Sequence, residues 1–392
     1  MSYSNISHHP IYMDHHATTP VDPRVLEAML PYFTECFGNA ASIDHEYGAE
    51  AGQAVENARK QIAQLINSRP DEMIFTSGAT EADNLAILGV AEQYESKGNH
   101  IITCVTEHHA VLDPCHYLQS KGWHVTYLPV DQYGLVDPDA VAKAITPQTV
   151  LISIMAANNE IGTIAPIAEI GKVARQHEVL FHTDATQAIG HMPIDVEAMN
   201  IDLLSLSAHK FYGPKGIGAL YVRKRQPRVK LAAQMHGGGH ERGLRSGTLN
   251  VTGIVGMGKA AEIAQSEMQA EGKRLQGLRD RLWEGLQASI EGVQLNGHPT
   301  QRLPHNLSVF IPGVESRALV VKLKHDVAIS TGSACTTAKV EPSHVILALG
   351  FGEERAHRSV RFGLGRKNTE AEVDFVVKCL KVSVSNLQLL SL

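Results

Sequence analysis

A lysine follows a predicted core strand, at a position where a cationic side chain would normally be kept in solvent. The mostly apolar run Asp202–Leu206 predicts a buried strand, and Ser207, His209 and Lys210 come directly after it. Desolvating a lysine ammonium is costly unless the group is paired or used covalently. The covalent use open to such a lysine is a Schiff base to an aldehyde or ketone.

A second cluster has the composition of a phosphate-binding turn. Residues Thr76–Glu81 lie between a predicted strand, Met73–Phe75, and a predicted helix, Asn84–Ala91. A glycine turn with hydroxyl groups at a helix N-terminus offers free N–H groups and the positive end of the helix dipole to an anion. Taken alone, the same pattern is more often an ordinary helix cap.

A third cluster, Asp184 and Gln187, belongs to the end of the predicted strand Val179–Ala185. The aspartate could pair with a positively charged ring nitrogen, although an N-cap is the simpler interpretation of that residue by itself. Ligands bind outside the carboxyl ends of parallel strands, so we expect the clusters to converge. A lysine, a phosphate cradle and an acid for a ring nitrogen together match pyridoxal 5'-phosphate (PLP). The run Gly213–Gly218 fits neither the dinucleotide fingerprint nor a P-loop, so a nucleotide is not expected.

Composition limits the class of protein. The chain has 392 residues, 43% of them apolar and 19% charged, with a formal charge of −6, which predicts two globular domains and no basic face for nucleic acid. It has no apolar run of about 18 residues and no signal-peptide pattern, so we expect a cytoplasmic protein without a membrane anchor. Its five cysteines lack CxxC spacing, which argues against a disulfide framework or a zinc site.

The elements that would position these clusters alternate between helix and strand from residue 22 to residue 201. Short strands buried on both faces, alternating with helices, predict an α/β fold with a mainly parallel sheet covered by helices. A long helical pattern covers Gly256–Ile290 and is expected to link the domains. After Gly292 the pattern changes to that of a smaller α+β domain, with a loop of small residues around Cys335.

The chain resembles the cysteine desulfurases of the IscS/NifS type (class I), which are fold-type-I PLP enzymes. The motifs that carry the resemblance are Tyr12–Asp14, Ala17–Pro20, Thr76–Glu81, Thr106–His108, Asn158–Gly162, Asp184–Gln187, Ser207–Gly218, His236–Thr248 and Ser330–Cys335. The resemblance implies a large PLP-binding domain at residues 16–262 with a mainly parallel seven-stranded sheet. It also implies a small α+β domain, at residues 1–15 and 263–392, that carries the Cys335 loop.

The resemblance further implies an activity and a set of site residues. L-Cysteine would be converted to L-alanine, leaving a persulfide on Cys335 that supplies sulfur to an acceptor protein, for iron–sulfur clusters or thiolated biomolecules. Lys210, Cys335 and His108 are the implied catalytic residues, and Asn159 and Arg361 would bind the substrate carboxylate. The implied PLP-binding residues are Ala79, Thr80, His108, Asp184, Gln187, Ser207, His209, Lys210 and Thr248. A homodimer is implied, in which Thr248 reaches the phosphate in the neighbouring subunit.

Some features depart from the family pattern. Ala40 stands where proline is frequent, and Ala156 stands where histidine is frequent. The chain stops at Leu392, before the tail with which iron–sulfur assembly members dock their scaffold protein. We therefore expect another sulfur acceptor, such as a tRNA-thiolation carrier or a DNA-phosphorothioation system.

Other interpretations remain open. An aminotransferase has no use for Cys335, and a selenocysteine lyase would differ in its relative kcat/KM for cysteine and selenocysteine. A catalytically silent structural protein would keep the fold without taking up PLP. The pairs His8-His9 and His15-His16 lack acidic or cysteine partners at ligand spacing, so no metal site is expected.

Overall fold

The computed structural model describes residues 9–331 and 342–390. Cys335 therefore lies outside the described residues. The strands, in chain order, are β1 (Ile11–Tyr12), β2 (Met73–Thr76), β3 (His100–Cys104), β4 (His124–Leu128), β5 (Thr149–Ser153), β6 (Leu180–Asp184), β7 (Leu203–Ser207), β8 (Gly218–Val222), β9 (Gln294–Leu295), β10 (Asn306–Phe310), β11 (Val327–Ala328) and β12 (Ser359–Gly363). The helices are α1 (Pro23–Met29), α2 (Pro31–Thr34), α3 (Glu46–Leu65), α4 (Ala79–Tyr94), α5 (His109–Ser120), α6 (Pro138–Ala144), α7 (Ile167–Gln176), α8 (Val251–Ser289), α9 (Ser316–Leu323), α10 (His344–Ala348), α11 (Gly352–His357) and α12 (Glu370–Leu390).

The largest sheet has seven strands in the order β2-β8-β7-β6-β5-β3-β4. The strands from β7 to β4 pair in parallel, whereas β8 runs antiparallel to both β7 and β2. Side chains alternate between the faces of a strand, and both faces of this sheet are buried. Phe181 and Leu204 point into one apolar cluster, and their neighbours Leu180 and Leu203 point into another. The predicted α/β architecture with a mainly parallel sheet is confirmed.

Helices cover both faces of this sheet. Residues of α3, α7 and α8, among them Ile62, Ile170 and Met257, belong to the cluster on one face. Leu85 of α4 and Val111 of α5 belong to the cluster on the other face. The helices that follow β2 and β3 therefore start at the carboxyl edge of the sheet, where the predicted site residues lie.

Helix α8 contributes to two separate apolar cores. It is 39 residues long, and its first part, including Ile254 and Met257, packs against the large sheet. Its last part, including Leu278 and Leu282, packs with β10, β12 and α12 in a second core. The second core contains the antiparallel sheet β12-β10-β9, and β1 pairs with β11 close to it. The N-terminal segment thus lies beside C-terminal elements.

Boundaries differ from the sequence-based prediction at a few positions. Helix α4 begins at Ala79 rather than at Asn84, because the small residues that resemble a cap are themselves helical. Helix α8 begins at Val251, where the Asn250 side chain accepts a hydrogen bond from the Gly253 N–H at 3.0 Å. In the part of the chain that the structure describes, no helix is both long and apolar enough to cross a membrane.

Candidate active site

The predicted site residues meet where β6 and β7 end. Asp184 is the last residue of β6, and Ser207 is the last residue of β7. The chain then makes a short 3₁₀ turn over Ala208–Lys210. Because β6 and β7 are neighbours with Asp184 opposite Ser205, the acid and the lysine lie at the same edge of the sheet.

Lys210 is held close to the N-terminal segment. Its Nζ donates hydrogen bonds to the main-chain oxygens of His16 at 2.5 Å and Ala17 at 2.8 Å. Burial lowers the pKa of Lys210 to about 8, with a further contribution from the positive charge of Arg361, although Asp184 favours the charged form. A substantial fraction of the amine is therefore neutral near pH 8 and able to act as a nucleophile.

Asp184 ends β6, and Gln187 lies in the turn that follows. The Oδ1 atom of Asp184 accepts a hydrogen bond from the Thr186 N–H at 2.9 Å, and the side chain is buried. Gln187 Nε2 donates to the main-chain oxygen of His16 at 3.1 Å, while its Oε1 lies 2.8 Å from His16 Nδ1. Gln187 is thus held on the same segment that receives Lys210.

His108 is the N-cap residue of α5. Its Nδ1 accepts a hydrogen bond from the Ala110 N–H at 3.1 Å, so a proton on the neutral ring must be on Nε2. Burial lowers the pKa of His108; the Asp184 carboxylate raises it and the Lys210 ammonium lowers it. The charges of Asp184 and Lys210 both act on the pKa of His108, so the three side chains lie close enough to interact electrostatically.

The N-terminus of α4 lies beside Ser207. Gly78 precedes the helix as its N-cap residue, and among the described residues this position makes no side-chain capping hydrogen bond. A β-carbon on Gly218 would lie 2.7 Å from the Gly78 Cα, so glycine is required where β8 passes this turn. A β-carbon on Gly78 itself would lie 4.0 Å from Ser207 Oγ. Ala79 and Thr80 in the first turn and Ser207 opposite them thus surround a place suited to an anion.

His209 follows Ser207 by two residues, in the turn after β7. Its Nδ1 is 3.1 Å from Thr18 Oγ1. Burial lowers the pKa of His209 to about 4, and the charges of Lys210 and Lys215 act in the same direction. His209 is therefore a neutral hydrogen-bonding group at physiological pH.

Arg361 occupies the middle of β12, on the other side of the pocket. One of its terminal nitrogens donates to Asp14 Oδ1 at 2.8 Å and the other donates to the main-chain oxygen of Asn159 at 2.8 Å. Within the described residues, Arg361 Nε is buried and has no hydrogen-bond partner. Asn159 thus approaches the arginine through its main chain.

Thr248 is exposed, and no described contact joins it to the other predicted site residues.

Two buried acids that the sequence analysis did not select lie behind Asp184. Asp83 and Glu107 are fully buried, and burial, reinforced by the charge of Asp184, raises the pKa of both. Glu107 Oε1 accepts a hydrogen bond from the Met155 N–H at 2.7 Å, and Asp83 Oδ1 lies 3.5 Å from His182 Nε2. In both acids the raised pKa favours the uncharged form. The sequence signal that could have identified Asp83 is an acidic residue inside an otherwise apolar helical pattern.

Residues 11–376 match the family model described as aminotransferase class-V. The chain belongs to this family. It is 56% identical over 382 residues to the cysteine desulfurase IscS of Anaeromyxobacter dehalogenans (strain 2CP-C), a match that covers 97% of this chain and 94% of the relative. Among solved structures it is similar to a NifS-like protein, with a TM-score of 0.90, 40% identity and coverage of 96% of this chain and 100% of the other. It is also similar to SspA in complex with cysteine, with a TM-score of 0.80, 39% identity and coverage of 90% and 98%.

These comparisons confirm the resemblance to IscS/NifS cysteine desulfurases and the fold that it implied. Members of the family depend on PLP, and the pocket fits this cofactor. It combines an amine of lowered pKa, a helix N-terminus and a buried carboxylate, which suit the aldehyde, the phosphate and the ring nitrogen respectively. Among the residues that the structure describes, no group of three His, Cys, Asp or Glu side chains is arranged to hold a metal ion.

Proposed function

We propose that this chain is a PLP-dependent cysteine desulfurase that uses Cys335 as the sulfur-accepting thiol. In the net reaction, L-cysteine and the Cys335 thiol give L-alanine and a Cys335 persulfide, so no external oxidant is needed. The observation that carries the proposal is that Asp184 and the turn holding Lys210 end neighbouring strands at one edge of the sheet, close enough to His108 for their charges to act on its ring. The high identity to IscS desulfurases over nearly the whole chain favours this reaction over an aminotransferase or selenocysteine lyase.

The residues that we assign to the cofactor surround the carboxyl edge of the sheet. When bound, PLP withdraws electrons from the bonds at the substrate Cα. Lys210 would bind it covalently, Asp184 would pair with the ring nitrogen, and Gln187 would contact the phenolic oxygen. The phosphate is assigned to the Ala79 and Thr80 turn, with Ser207 and His209, and to Thr248 of a second subunit.

Proton transfer is assigned to Lys210 and His108. The lowered pKa of Lys210 lets its Nζ accept a proton released at the substrate Cα. At His108, the hydrogen bond from Ala110 occupies Nδ1, so the neutral ring presents Nε2–H, which can assist proton transfer as a hydrogen-bond donor. The lowered pKa of His108 keeps the imidazole neutral near pH 7.

Arg361 is assigned to the substrate carboxylate, together with Asn159. Asp14 and the main-chain oxygen of Asn159 fix the guanidinium, and the buried Nε has no acceptor among the described residues. A planar guanidinium is well suited to a carboxylate, because two N–H groups can donate in parallel. SspA was solved in complex with cysteine, which supports an amino-acid site in a relative of this fold.

The described residues that flank Cys335 are anchored at the pocket. Ser330 and Arg361 exchange main-chain hydrogen bonds of 3.2 and 2.7 Å. On the other flank, His344 Nε2 lies 3.0 Å from the main-chain oxygen of Glu107, the residue before His108. Cys335 follows Ser330 by five residues, and an extended chain spans roughly 3.5 Å per residue, so its reach includes the pocket.

A homodimer and a two-domain organisation are parts of the same proposal. Large apolar side chains are exposed between α1 and α3, among them Phe33 at 59%, Phe37 at 62% and Ile43 at 86% exposure. An apolar surface of this kind indicates a protein interface.

The proposed domain boundaries remain residues 16–262 for the large domain, and residues 1–15 with 263–392 for the small domain. A sulfur-acceptor protein follows from the reaction; its identity and the cytoplasmic location stay predictions.

The proposal is tested by replacing the thiol. With L-cysteine and a reductant, the Cys335→Ala variant should take up PLP normally and release alanine and sulfide at less than about a hundredth of the unmodified rate. Cys36→Ala is the matched control, because a hydrogen bond to Glu50 raises the pKa of the Cys36 thiol and so disfavours the thiolate. Unchanged turnover in Cys335→Ala would remove the desulfurase assignment in favour of an aminotransferase.

A further inference from the structure

His16 joins two of the residues assigned to the cofactor. It is 1% exposed, and its main-chain oxygen accepts hydrogen bonds from Lys210 Nζ at 2.5 Å and from Gln187 Nε2 at 3.1 Å. Its imidazole Nδ1 lies 2.8 Å from Gln187 Oε1. His16 therefore meets Gln187 through both its main chain and its side chain.

The contacts on the far side of the ring determine which nitrogen carries hydrogen. A terminal nitrogen of Arg302 lies 2.8 Å from the Asn306 side-chain atom assigned as Oδ1, and a guanidinium can only donate. That assignment places Asn306 Nδ2, a donor, 3.0 Å from His16 Nε2. The same Nδ2 donates to the main-chain oxygen of Glu160 at 3.2 Å. His16 Nε2 must therefore accept, so the ring is neutral and carries its hydrogen on Nδ1.

This tautomer orients the Gln187 amide. The Nδ1–H of His16 points at Gln187 Oε1, and the His16 main-chain oxygen accepts one N–H of Gln187 Nε2. The flipped amide would bring an N–H group against the Nδ1–H donor and leave two buried donors facing each other. The second hydrogen on Gln187 Nε2 then remains, and no described residue accepts it.

A stack of buried rings holds the imidazole in place. The His305 ring lies over His16 with centroids 4.4 Å apart and an interplanar angle of 24°. The His191 ring lies over His305 at 4.0 Å and 29°, and His191 Nε2 is 2.9 Å from the main-chain oxygen of Lys210. Burial lowers the pKa of His16, His305 and His191. The stack is thus uncharged and links His16 to the backbone at Lys210.

We propose that His16 is a positioning residue that directs the remaining Gln187 N–H toward the cofactor. Asn306 and Arg302 set the His16 tautomer, His16 sets the Gln187 amide, and Gln187 contacts the bound ring. The inference rests on the proposed function in that it takes PLP as the ligand. A purely structural His16 would support packing without acting through Gln187.

A double-mutant cycle on PLP binding separates these roles. The apoprotein of the full chain is titrated with PLP, and the Kd and the pH dependence of the visible absorption band are measured for His16→Leu, Gln187→Ala and the double variant. Gln187→Ala should weaken binding about tenfold, as expected for the loss of a hydrogen bond. His16→Leu should weaken it by a similar factor and shift the pH dependence in the same direction. The double variant should bind no worse than Gln187→Ala, because His16 acts through Gln187.

Matched variants control for packing. His15→Leu replaces the adjacent buried histidine, whose Nδ1 lies 2.9 Å from the Gly363 main-chain oxygen, and its effect on Kd should multiply with that of Gln187→Ala. His16→Asn, whose amide can donate in place of Nδ1–H, should recover most of the binding. If His16→Leu fails to fold by circular dichroism, His16→Asn compared with His16→Asp provides the test, because the carboxylate cannot donate to Gln187.

The outcomes distinguish this inference from the proposed function. Multiplying losses for His16→Leu and Gln187→Ala, or equal binding by His16→Asn and His16→Asp, would overturn the positioning role and leave the desulfurase proposal intact. An unmodified protein that takes up no PLP would overturn the proposed function. An unchanged Kd and absorption band in Gln187→Ala would overturn the assignment of Gln187, and with it the role of His16.

Discussion

Arg361 and Asp14 form a partly buried ion pair at 2.8 Å between β12 and the segment that follows β1. The pair fixes the guanidinium beside the pocket although the two residues lie at opposite ends of the chain. Replacing Arg361 with Ala removes the proposed carboxylate partner, so KM for L-cysteine should rise on the order of 10- to 100-fold, as for a charge-assisted hydrogen bond. Steady-state kinetics would measure this change.

The control for this prediction is Arg358→Ala. This variant removes a partly exposed arginine that pairs with the exposed side chains of Glu354 and Glu315. It should leave KM nearly unchanged, because surface ion pairs contribute little. If Arg361→Ala lowered PLP binding but left KM unchanged, the substrate assignment of Arg361 would be wrong.

Lys210 should govern the pH dependence of cofactor uptake. Its pKa is lowered to about 8, so the nucleophilic neutral amine becomes more abundant as pH rises through 8. Stopped-flow absorbance should show the rate of PLP incorporation into apoprotein rising about tenfold per pH unit below pH 8 and levelling above it. Lys210→Ala should abolish covalent incorporation, whereas Lys215→Ala, at an exposed position nearby, should not. A rate that kept rising to pH 10 would contradict the lowered pKa.

Asp83 should tolerate a neutral replacement. Burial and the charge of Asp184 raise the pKa of Asp83 and so favour its uncharged form, which Asp83→Asn matches in charge and in size. We expect the variant to keep PLP affinity within about threefold and to lose no more than about 1 kcal/mol of stability, less than for a broken buried ion pair.

Asp184→Asn is the comparison for Asp83→Asn, because it removes the charge assigned to the ring nitrogen. It should lose most of the turnover while the protein stays folded. Equal loss of turnover in the two variants would show that Asp83 is charged in the protein.

Glu241 should be important for stability. It forms a buried ion pair with Arg59 at 2.8 Å and also accepts a hydrogen bond from the Phe75 N–H at 2.7 Å. Glu241→Ala leaves the buried Arg59 with only the exposed Glu56 as an ion-pair partner among the described residues and removes the acceptor of the Phe75 N–H, which should lower the free energy of unfolding by about 3–5 kcal/mol. Urea denaturation at fixed protein concentration measures this. Glu262→Ala, in an exposed pair with Lys259, should cost less than about 1 kcal/mol.

Short-range patterns predicted the strand-end residues of the site. Lys210 and Asp184 each follow an apolar strand, and parallel strands bring their carboxyl ends to one edge, so their convergence could be inferred from the sequence. The antiparallel strand β8 was not predicted. The glycine-rich segment that leads into it resembles a turn, and it pairs with β2 as well as with β7, so its place in the sheet depends on contacts that are distant in sequence.

The supporting contacts could not be predicted in the same way. His16, Gln187 and Asn306 come from separate parts of the chain, and only the packed structure brings their side chains together. The paired histidines at positions 15 and 16 drew attention as possible metal ligands, whereas their ring nitrogens contact amide and carbonyl groups. The local sequence shows the residue type, and distant partners determine its chemistry.

The length of α8 has a consequence for how this family can change. A single uninterrupted helix enters both apolar cores. Adding or deleting one residue between those contacts would rotate the distal half by about 100° and shift it by about 1.5 Å. The leucines of the far half would then face water, and β12, with Arg361, would lose its alignment. Insertions and deletions should therefore accumulate in loops. The number of residues in α8 between its two sets of core contacts should be as restricted as the site residues themselves.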